Sequence, residues 1–363
     1  MRRVAAVIAL GIVVTVAGAA GWLVYQWQSP YKGYTGKAAV VNVERGTTTH
    51  QIAEQLRREA VVRSGLAFEL WSRLHRGEGL EAGEYRFDRA MTPPQVFEMI
   101  AQGRVWNVTL TVPEGWTMFD IADAVQRDGL ASRAAFLRAA RHVSLVRDIA
   151  PDVPTLEGFL FPATYQFPHR TTAQAIVAEM VRRFHQAWAN LTLHDAPPPN
   201  LTLEQVVTLA SLVEEETPRL EEKPIIAGVF LNRLRLGYPL ECDPSVVYAL
   251  KLAGRYGGQL HASEMGVRSP YNTYLHYGLP PGPIGNPGMA SLRAVLEPAR
   301  TDYLYFVANG KGGHMFSRTL AEHRRDVARY RRLIAAEKKE EQTLRQQRPV
   351  ATHGHPSGNE PHE

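Results

Sequence analysis

The sequence predicts an α+β protein behind a single N-terminal transmembrane helix, and three observations predict it. An uncharged apolar run, Val4 to Tyr25, follows Arg2-Arg3. A strand, a glycine turn and a short amphipathic helix then occur twice in the same order, 69 residues apart. From residue 200 onward, helical periodicity mixes with a strong aromatic strand, Tyr303 to Val307, which His314-Met315-Phe316 can join as a hairpin.

Bulk properties narrow the field. The 363 residues suffice for two or three domains. Hydrophobic content of 45% and charged content of 21% are ordinary for a globular protein. The net charge of +5 and the pI near 9.3 are mildly basic. Basic residues are spread out, apart from Arg324-Arg325 and Arg331-Arg332, so nucleic acid is not an expected partner. Such a surface suits an anionic membrane or an acidic polymer. The single cysteine, Cys242, excludes an intramolecular disulfide and a cysteine metal cluster. His314 and His323 stand nine residues apart with no third ligand in view, so no metal is expected. No Walker loop, dinucleotide fingerprint or G-x-S-x-G elbow calls for a cofactor or a serine nucleophile.

The first element is the apolar run. Its 22 residues at 1.5 Å each span roughly 33 Å, enough to cross a bilayer. Trp22, Tyr25 and Trp27 stand at its far end, where an aromatic belt lies. Two arginines before it and only Lys32 soon after it predict a cytoplasmic N-terminus. A cleaved signal peptide with Ala17-Gly18-Ala19 as its site is the competing reading. The run continues past that site through Trp22-Leu23-Val24, which favours an uncleaved anchor. Both readings put residues 30–363 outside the cytoplasm.

Ser29-Pro30 through Lys37 reads as a short linker. In the first copy of the repeat, Val41 to Thr48 runs into Ile52 to Leu56; in the second, Leu110 to Thr117 runs into Ile121 to Val125. Val43/Val112, Gly46/Gly115, Thr48/Thr117, Ile52/Ile121 and Ala53/Ala122 match without a gap. Two copies are too few for a solenoid. The pattern resembles LysM domains, small modules that bind N-acetylglucosamine-containing glycans; a generic βα scaffold unit reads the same way. Between and after the copies, helices are expected over 64–74, 92–100, 133–141 and 172–188, and a strand over 84–87. Ala196-Pro197-Pro198-Pro199 marks a boundary. Glycine and proline then cluster between Tyr271 and Gly288, which predicts an ordered loop with special turns. A charged helix follows over 319–346, and the tail after Pro349 reads as disordered.

The helix before that loop carries the most informative residues, Glu214-Glu215-Glu216. It opens with Thr202-Leu203-Glu204-Gln205, a capping box. At about 100° per residue, Leu203, Val207, Ala210 and Glu214 fall on one line, and Glu215 and Glu216 point elsewhere. A carboxyl group in apolar surroundings has a raised pKa and can serve as a general acid. The plain alternative is a charged helix end facing water. Asp243 before Pro244 either caps the next helix or faces a site. Asn272 and Tyr274 either shape the loop or bond sugar hydroxyls, and His314 either packs or touches sugar.

Several motifs occur together. They are Leu209–Thr217, Val229–Leu234, Asp243–Tyr248, Tyr271–Tyr274 leading to Gly278–Ile284, Tyr303–Val307, and Gly313–Phe316. With the anchor, they resemble the endolytic murein transglycosylases of the MltG (YceG-like) family, over residues up to about 335. Glu215 and Cys242 depart from the family's usual residues. The resemblance implies a mixed α/β YceG-like catalytic domain and cleavage of the β-1,4 bond between N-acetylmuramic acid (MurNAc) and N-acetylglucosamine (GlcNAc). The muramic C6 hydroxyl would attack, leaving 1,6-anhydro ends, with Glu214 acting first as acid and then as base. Asp243, Tyr248, Asn272, Tyr274 and His314 are the expected substrate contacts, and no cofactor is implied. The expected organisation is residues 1–3 cytoplasmic, 4–25 anchor, 38–106 and 107–199 LysM-like modules, 200–335 catalytic, and 336–363 helix end and tail. The implied setting is the cell (inner) membrane, single-pass, with the catalytic domain periplasmic. Implied partners are peptidoglycan strands and cell-wall synthases (penicillin-binding proteins), with nascent strands clipped to length. An anchored glycan-binding scaffold without catalysis, or a hydrolase leaving reducing ends, are the competing readings.

Overall fold

A computed structural model describes residues 2–75, 77, 79–192 and 201–347. The proline boundary at 196–199 and the tail beyond 347 lie outside the described residues. The elements in chain order are α1 (Arg2–Gln28), β1 (Ala39–Val43), α2 (Thr49–Arg58), α3 (Gly65–Leu74), β2 (Gly83–Phe87), α4 (Pro93–Ala101), β3 (Asn107–Thr111), α5 (Met118–Arg127) and α6 (Arg133–Ala139). After these come β4 (Thr164–Pro168), α7 (Ala173–Thr192), α8 (Leu203–Glu216), α9 (Lys223–Leu236), α10 (Asp243–Leu252), α11 (Met289–Leu296), β5 (Tyr305–Ala308), β6 (His314–Ser317) and α12 (Leu320–Gln347). Two compact units form. The first holds Met1–Val112, Asp120–Ala139 and Ala163–Ala178; the second holds Pro113–Phe119, Ala140–Pro162 and Glu179–Glu363.

In the first unit, β1 pairs antiparallel with β2, from Ala39↔Phe87 to Val43↔Gly83. Alternate residues Ala39, Val41 and Val43 turn inward, as strand geometry requires. They meet Ile52, Leu56, Phe68, Phe97 and Ile100 from α2, α3 and α4 in one core. Thr48 and Thr92 close capping boxes with Gln51 and Gln95 at the starts of α2 and α4. In the second copy β3 pairs antiparallel with β4, from Asn107↔Pro168 to Thr111↔Thr164. Both copies therefore run strand, helix, helix, strand, and the repeat is more than one βα step. Its glycines share a left-handed backbone, φ +83° at Gly46 and +82° at Gly115.

Within α1, residues Arg3–Gln28 contain an 18-residue window of mean hydropathy 2.4, and the helix is long and apolar enough to cross a membrane. The far end of the helix is docked. Trp27 Nε1 donates to the Ala67 carbonyl at 2.8 Å and its ring meets Trp71 edge-on at 5.2 Å. The expected linker is also tied down. Tyr31 exchanges two backbone hydrogen bonds with Met91, and Gly33 N–H donates to the Ala60 carbonyl. Main-chain pairing fixes a segment whose composition suggested a spacer.

In the second unit, α8 packs against α9, α10 and α11. Every residue from Val206 to Val213 is buried, so α8 is surrounded and has no single apolar stripe. The stretch from Tyr271 to Gly288 is an ordered loop whose second half is buried. Its buried polar groups are paired inside the protein. Ser211 Oγ accepts from Ile284 N–H at 3.0 Å, and Asn286 bridges the Leu160 N–H, the Trp116 carbonyl and the Glu157 carboxylate. The hairpin joins β5 to β6 from Tyr305↔Ser317 to Ala308↔His314, two residues later than the sequence suggests at its start. Thr301 Oγ1 takes the Tyr303 N–H and delays the ladder.

The two repeat glycines differ in their surroundings. A Cβ on Gly46 meets open space, and one on Gly115 would lie 2.5 Å from Glu215 Oε1. Gly46→Ala should lose about 1–2 kcal/mol from the left-handed backbone alone, and Gly115→Ala more. Urea unfolding of the two variants of the full chain checks the order.

Candidate active site

The end of α8 delivers three consecutive glutamates into three environments. Glu214 lies against α9 and α11. Its Oε1 accepts from Lys223 Nζ at 2.6 Å, and its Oε2 accepts from Gly288 N–H at 3.0 Å and Ser291 Oγ at 2.7 Å. Lys223 Nζ also reaches Ser291 Oγ at 2.8 Å. The Lys223 and Glu214 side chains are only 2% and 8% exposed. The expectation of apolar surroundings for Glu214 is therefore not met: it is a buried, ion-paired carboxylate with both oxygens engaged. Glu215 is exposed.

Glu216 lies two residues on, about 200° around the helix, and lines a cavity of about 460 Å³. Burial pushes its carboxyl up to about 7. A hydrogen bond from the Cys242 thiol opposes that shift, the negative charges of Asp243 and Glu215 reinforce it, and Arg233 opposes it. A carboxyl with this pKa carries a proton for much of the time near neutral pH, as a general acid must. The sequence reading sets Glu216 aside, with Glu215, as pointing away from the Leu203–Glu214 line. The signal available was the run Leu209-Ala210-Ser211-Leu212-Val213, apolar except for Ser211, which points to cover on both sides of α8.

The same cavity receives Asp243, Tyr274 and His314, three of the five expected contacts. Asp243 does not cap α10, because Cys242 holds the cap position. Its Oδ1 instead accepts from the Tyr274 hydroxyl at 2.5 Å. Burial, then the Asp243 carboxylate, raises the Tyr274 hydroxyl well above its usual range, so it stays a donor. Arg233 donates to the carbonyls of Leu304, Pro239 and Leu240 and to Glu241 Oε2 at 2.9 Å, pinning the cavity wall. His314 is held through Nδ1, 2.7 Å from Glu222 Oε2. His323 also lines the cavity and stacks on Tyr305 at 5.1 Å.

The other two expected contacts lie elsewhere. Asn272 is fully buried; its amide donates to the carbonyls of Met265 and Val267, and its oxygen accepts from Tyr274 N–H. It shapes the loop that presents Tyr274. Tyr248 is buried against Tyr271 and Phe119, with its hydroxyl hydrogen-bonded to Glu157. Both are packed parts of the scaffold.

Comparison with known proteins gives one consistent family. The model of the YceG-like family matches residues 41–329. The endolytic murein transglycosylase of Bacillus subtilis is 30% identical over 306 residues, covering 80% of this chain and 84% of that protein. The endolytic murein transglycosylase of Streptococcus pneumoniae is 28% identical, covering 89% of this chain and 65% of that protein. A crystal structure of a yceG-like protein from Listeria monocytogenes is 31% identical, with a TM-score of 0.52, covering 80% of this chain and 98% of that one.

Two stability predictions separate the glutamates. Glu214→Leu and Lys223→Met should each lose about 3–5 kcal/mol, since each strands a buried charge, and the double variant should recover most of that loss. Urea titration of the three variants reads the coupling. Glu216 should behave in the opposite way. Its folded-state pKa is raised from 4.5 to about 7, so its stabilising contribution is complete below 4.5 and is lost as pH rises through about 7. Glu216→Gln cannot ionise, and its melting temperature should exceed that of the wild type at about pH 8, with the gap closing in acid.

Proposed function

This chain belongs to the YceG-like family, and we propose that it is a lytic transglycosylase of peptidoglycan with Glu216 as its acid. The observation that carries the reading is the raised pKa of Glu216 in a cavity it shares with Asp243, Tyr274 and His314. Relatives of 30% and 28% identity named endolytic murein transglycosylase support the reaction class.

In this reading the cavity takes a glycan strand across the MurNAc–GlcNAc β-1,4 bond. Glu216 gives its proton to the bridging oxygen as that oxygen leaves. Positive charge then grows on the muramic C1 and ring oxygen. The Asp243 carboxylate, fixed by the Tyr274 hydroxyl, is the group available to stabilise it. The muramic C6 hydroxyl attacks C1 and closes the 1,6-anhydro ring, so no water is consumed. Glu214 is removed from this chemistry by its pairing with Lys223.

The apolar N-terminal helix supports a single-pass anchor in the cell (inner) membrane, with the N-terminus cytoplasmic and the remainder outside. The two strand–helix–helix–strand copies support LysM-like glycan binding. An anchored enzyme of this kind would cut nascent strands close to the membrane, in company with the synthases that make them. A hydrolase reading draws on the second carboxylate, Asp243, in the same cavity.

The activity test uses purified full chain and uncrosslinked glycan strands, read by mass spectrometry. Wild type should release products one water lighter than hydrolysis would give. Glu216→Gln should lower kcat by about 10²–10⁴, whereas Glu214→Gln should retain turnover in whatever fraction is folded. The wild-type rate should fall as pH rises through about 7, as Glu216 loses its proton. Reducing-end products of full mass would favour the hydrolase, and binding without cleavage would favour a scaffold.

A further inference from the structure

We propose that His314, oriented by Glu222, is the base that takes the proton from the attacking C6 hydroxyl, so that acid and base are two separate groups. This rests on the reading of Glu216 as the acid.

The geometry is that of an oriented imidazole. Glu222 precedes α9, and both of its oxygens are engaged by the strand that carries His314. Oε1 accepts from the His314 backbone N–H at 3.0 Å, and Oε2 lies 2.7 Å from Nδ1. The Thr217 hydroxyl also donates to Oε2 at 3.1 Å. Burial pushes the Glu222 carboxyl up, but the hydrogen bonds from the His314 side chain and backbone, the His314 charge and the Thr217 hydroxyl together hold the group below the usual range. An ionised carboxylate at Nδ1 requires a hydrogen there, and a neutral ring then carries its lone pair on Nε2. Among the described residues, no group hydrogen-bonds Nε2.

The turn before His314 is built for this approach. A Cβ on Gly313 would lie 2.4 Å from Glu222 Oε1. Arg219 donates to the carbonyls of Gly312 at 2.7 Å and Lys311 at 2.8 Å, which ties the turn to the α8–α9 connection. Phe306 meets the His314 ring edge-on at 5.3 Å and limits its rotation. The ring is 14% exposed and lines the cavity that holds Glu216. Acid and base are thus linked through successive groups: Glu216, its neighbour Thr217, Glu222 and His314.

The step balances. The C1–O4 bond breaks and its electron pair goes to O4, which takes the Glu216 proton. O6 bonds to C1, and its proton passes to His314 Nε2. The imidazolium is stabilised by Glu222, as a base is stabilised by its orienting carboxylate in other nucleophilic sites. One proton moving from the imidazolium to the Glu216 carboxylate through solvent restores the enzyme. The opposing arrangement has Glu216 perform both transfers, with His314 only packing.

Leaving-group dependence separates the two. The full chain is assayed on natural glycan strands and on a 4-nitrophenyl glycoside of an oligosaccharide ending in MurNAc, whose leaving group needs no proton. Glu216→Gln should be slow on strands and recover on the nitrophenyl substrate. His314→Gln should be slower by about 10²–10⁴ on both substrates, with an unchanged melting temperature, and Glu222→Gln should lie between. His314→Gly leaves room for added imidazole, which should restore part of its rate. Wild-type turnover by His314→Gln, its recovery on the nitrophenyl substrate, or no imidazole rescue of a folded His314→Gly would each overturn the proposal. Failure of the underlying reading has a different signature: wild type yields no 1,6-anhydro ends, or Glu216→Gln cleaves strands at the wild-type rate.

Discussion

The Lys223–Glu214 pair is the interaction on which the second unit depends. A lysine ammonium with 2% exposure has few tolerable environments, because an unpaired charge in a protein interior costs several kcal/mol. The pair joins α8 to α9, and Ser291 and Gly288 bring the start of α11 to the same point. Three helices are therefore fixed in rotation and register by one carboxylate. A buried pair of this kind is weak evidence for net stability, since a well-packed apolar substitute can match it. Its contribution here is phase. With Glu214 held toward α9 and α11, helix geometry carries Glu216 to the opposite side.

Three glutamates within nine positions illustrate how environment assigns roles to identical chemistry. Glu214 is neutralised by a cation. Glu216 is desolvated beside other negative charges and keeps its proton toward neutral pH. Glu222 is held ionised by hydrogen bonds from His314. None of these differences resides in the side chain itself. They come from which neighbours the fold places within about 3 Å. The same logic explains the irregular loop from Tyr271 to Gly288. Its buried backbone requires polar partners inside the protein: Ser211 Oγ takes the Ile284 N–H, the Asn272 side-chain oxygen takes the Tyr274 N–H, and the Trp116 carbonyl takes the Asn286 N–H. Residues whose type suggests sugar binding are thereby committed to holding the loop, and Tyr274 at its edge is the one left facing the cavity.

Local structure was largely legible. The capping box at Thr202 closes as its spacing predicts, because such hydrogen bonds involve only residues three apart, and Thr48 and Thr92 close the same motif in the structure. Gly46 and Gly115 take the same left-handed conformation, as their matched positions in the repeat imply. The hairpin near residue 305 forms where aromatic residues and glycines indicate. The family was legible as well, from motifs spread between Leu209 and Phe316. The choice among the three glutamates was not. Helical phase separates Glu214 from Glu216 but does not say which side is dry, and α8 proves to be covered all round from Val206 to Val213.

By itself, then, the sequence determined an apolar N-terminal helix, a duplicated strand–helix unit, a helix ending in glutamates and an ordered glycine–proline loop. Each follows from short-range propensity and spacing. Only the tertiary structure decided that Lys223 takes Glu214, that Glu216 shares a cavity with Asp243 and Tyr274, and that Glu222 orients His314. The reason is physical: pKa and pairing are set by groups far away in sequence, here as much as 92 residues apart for Glu222 and His314.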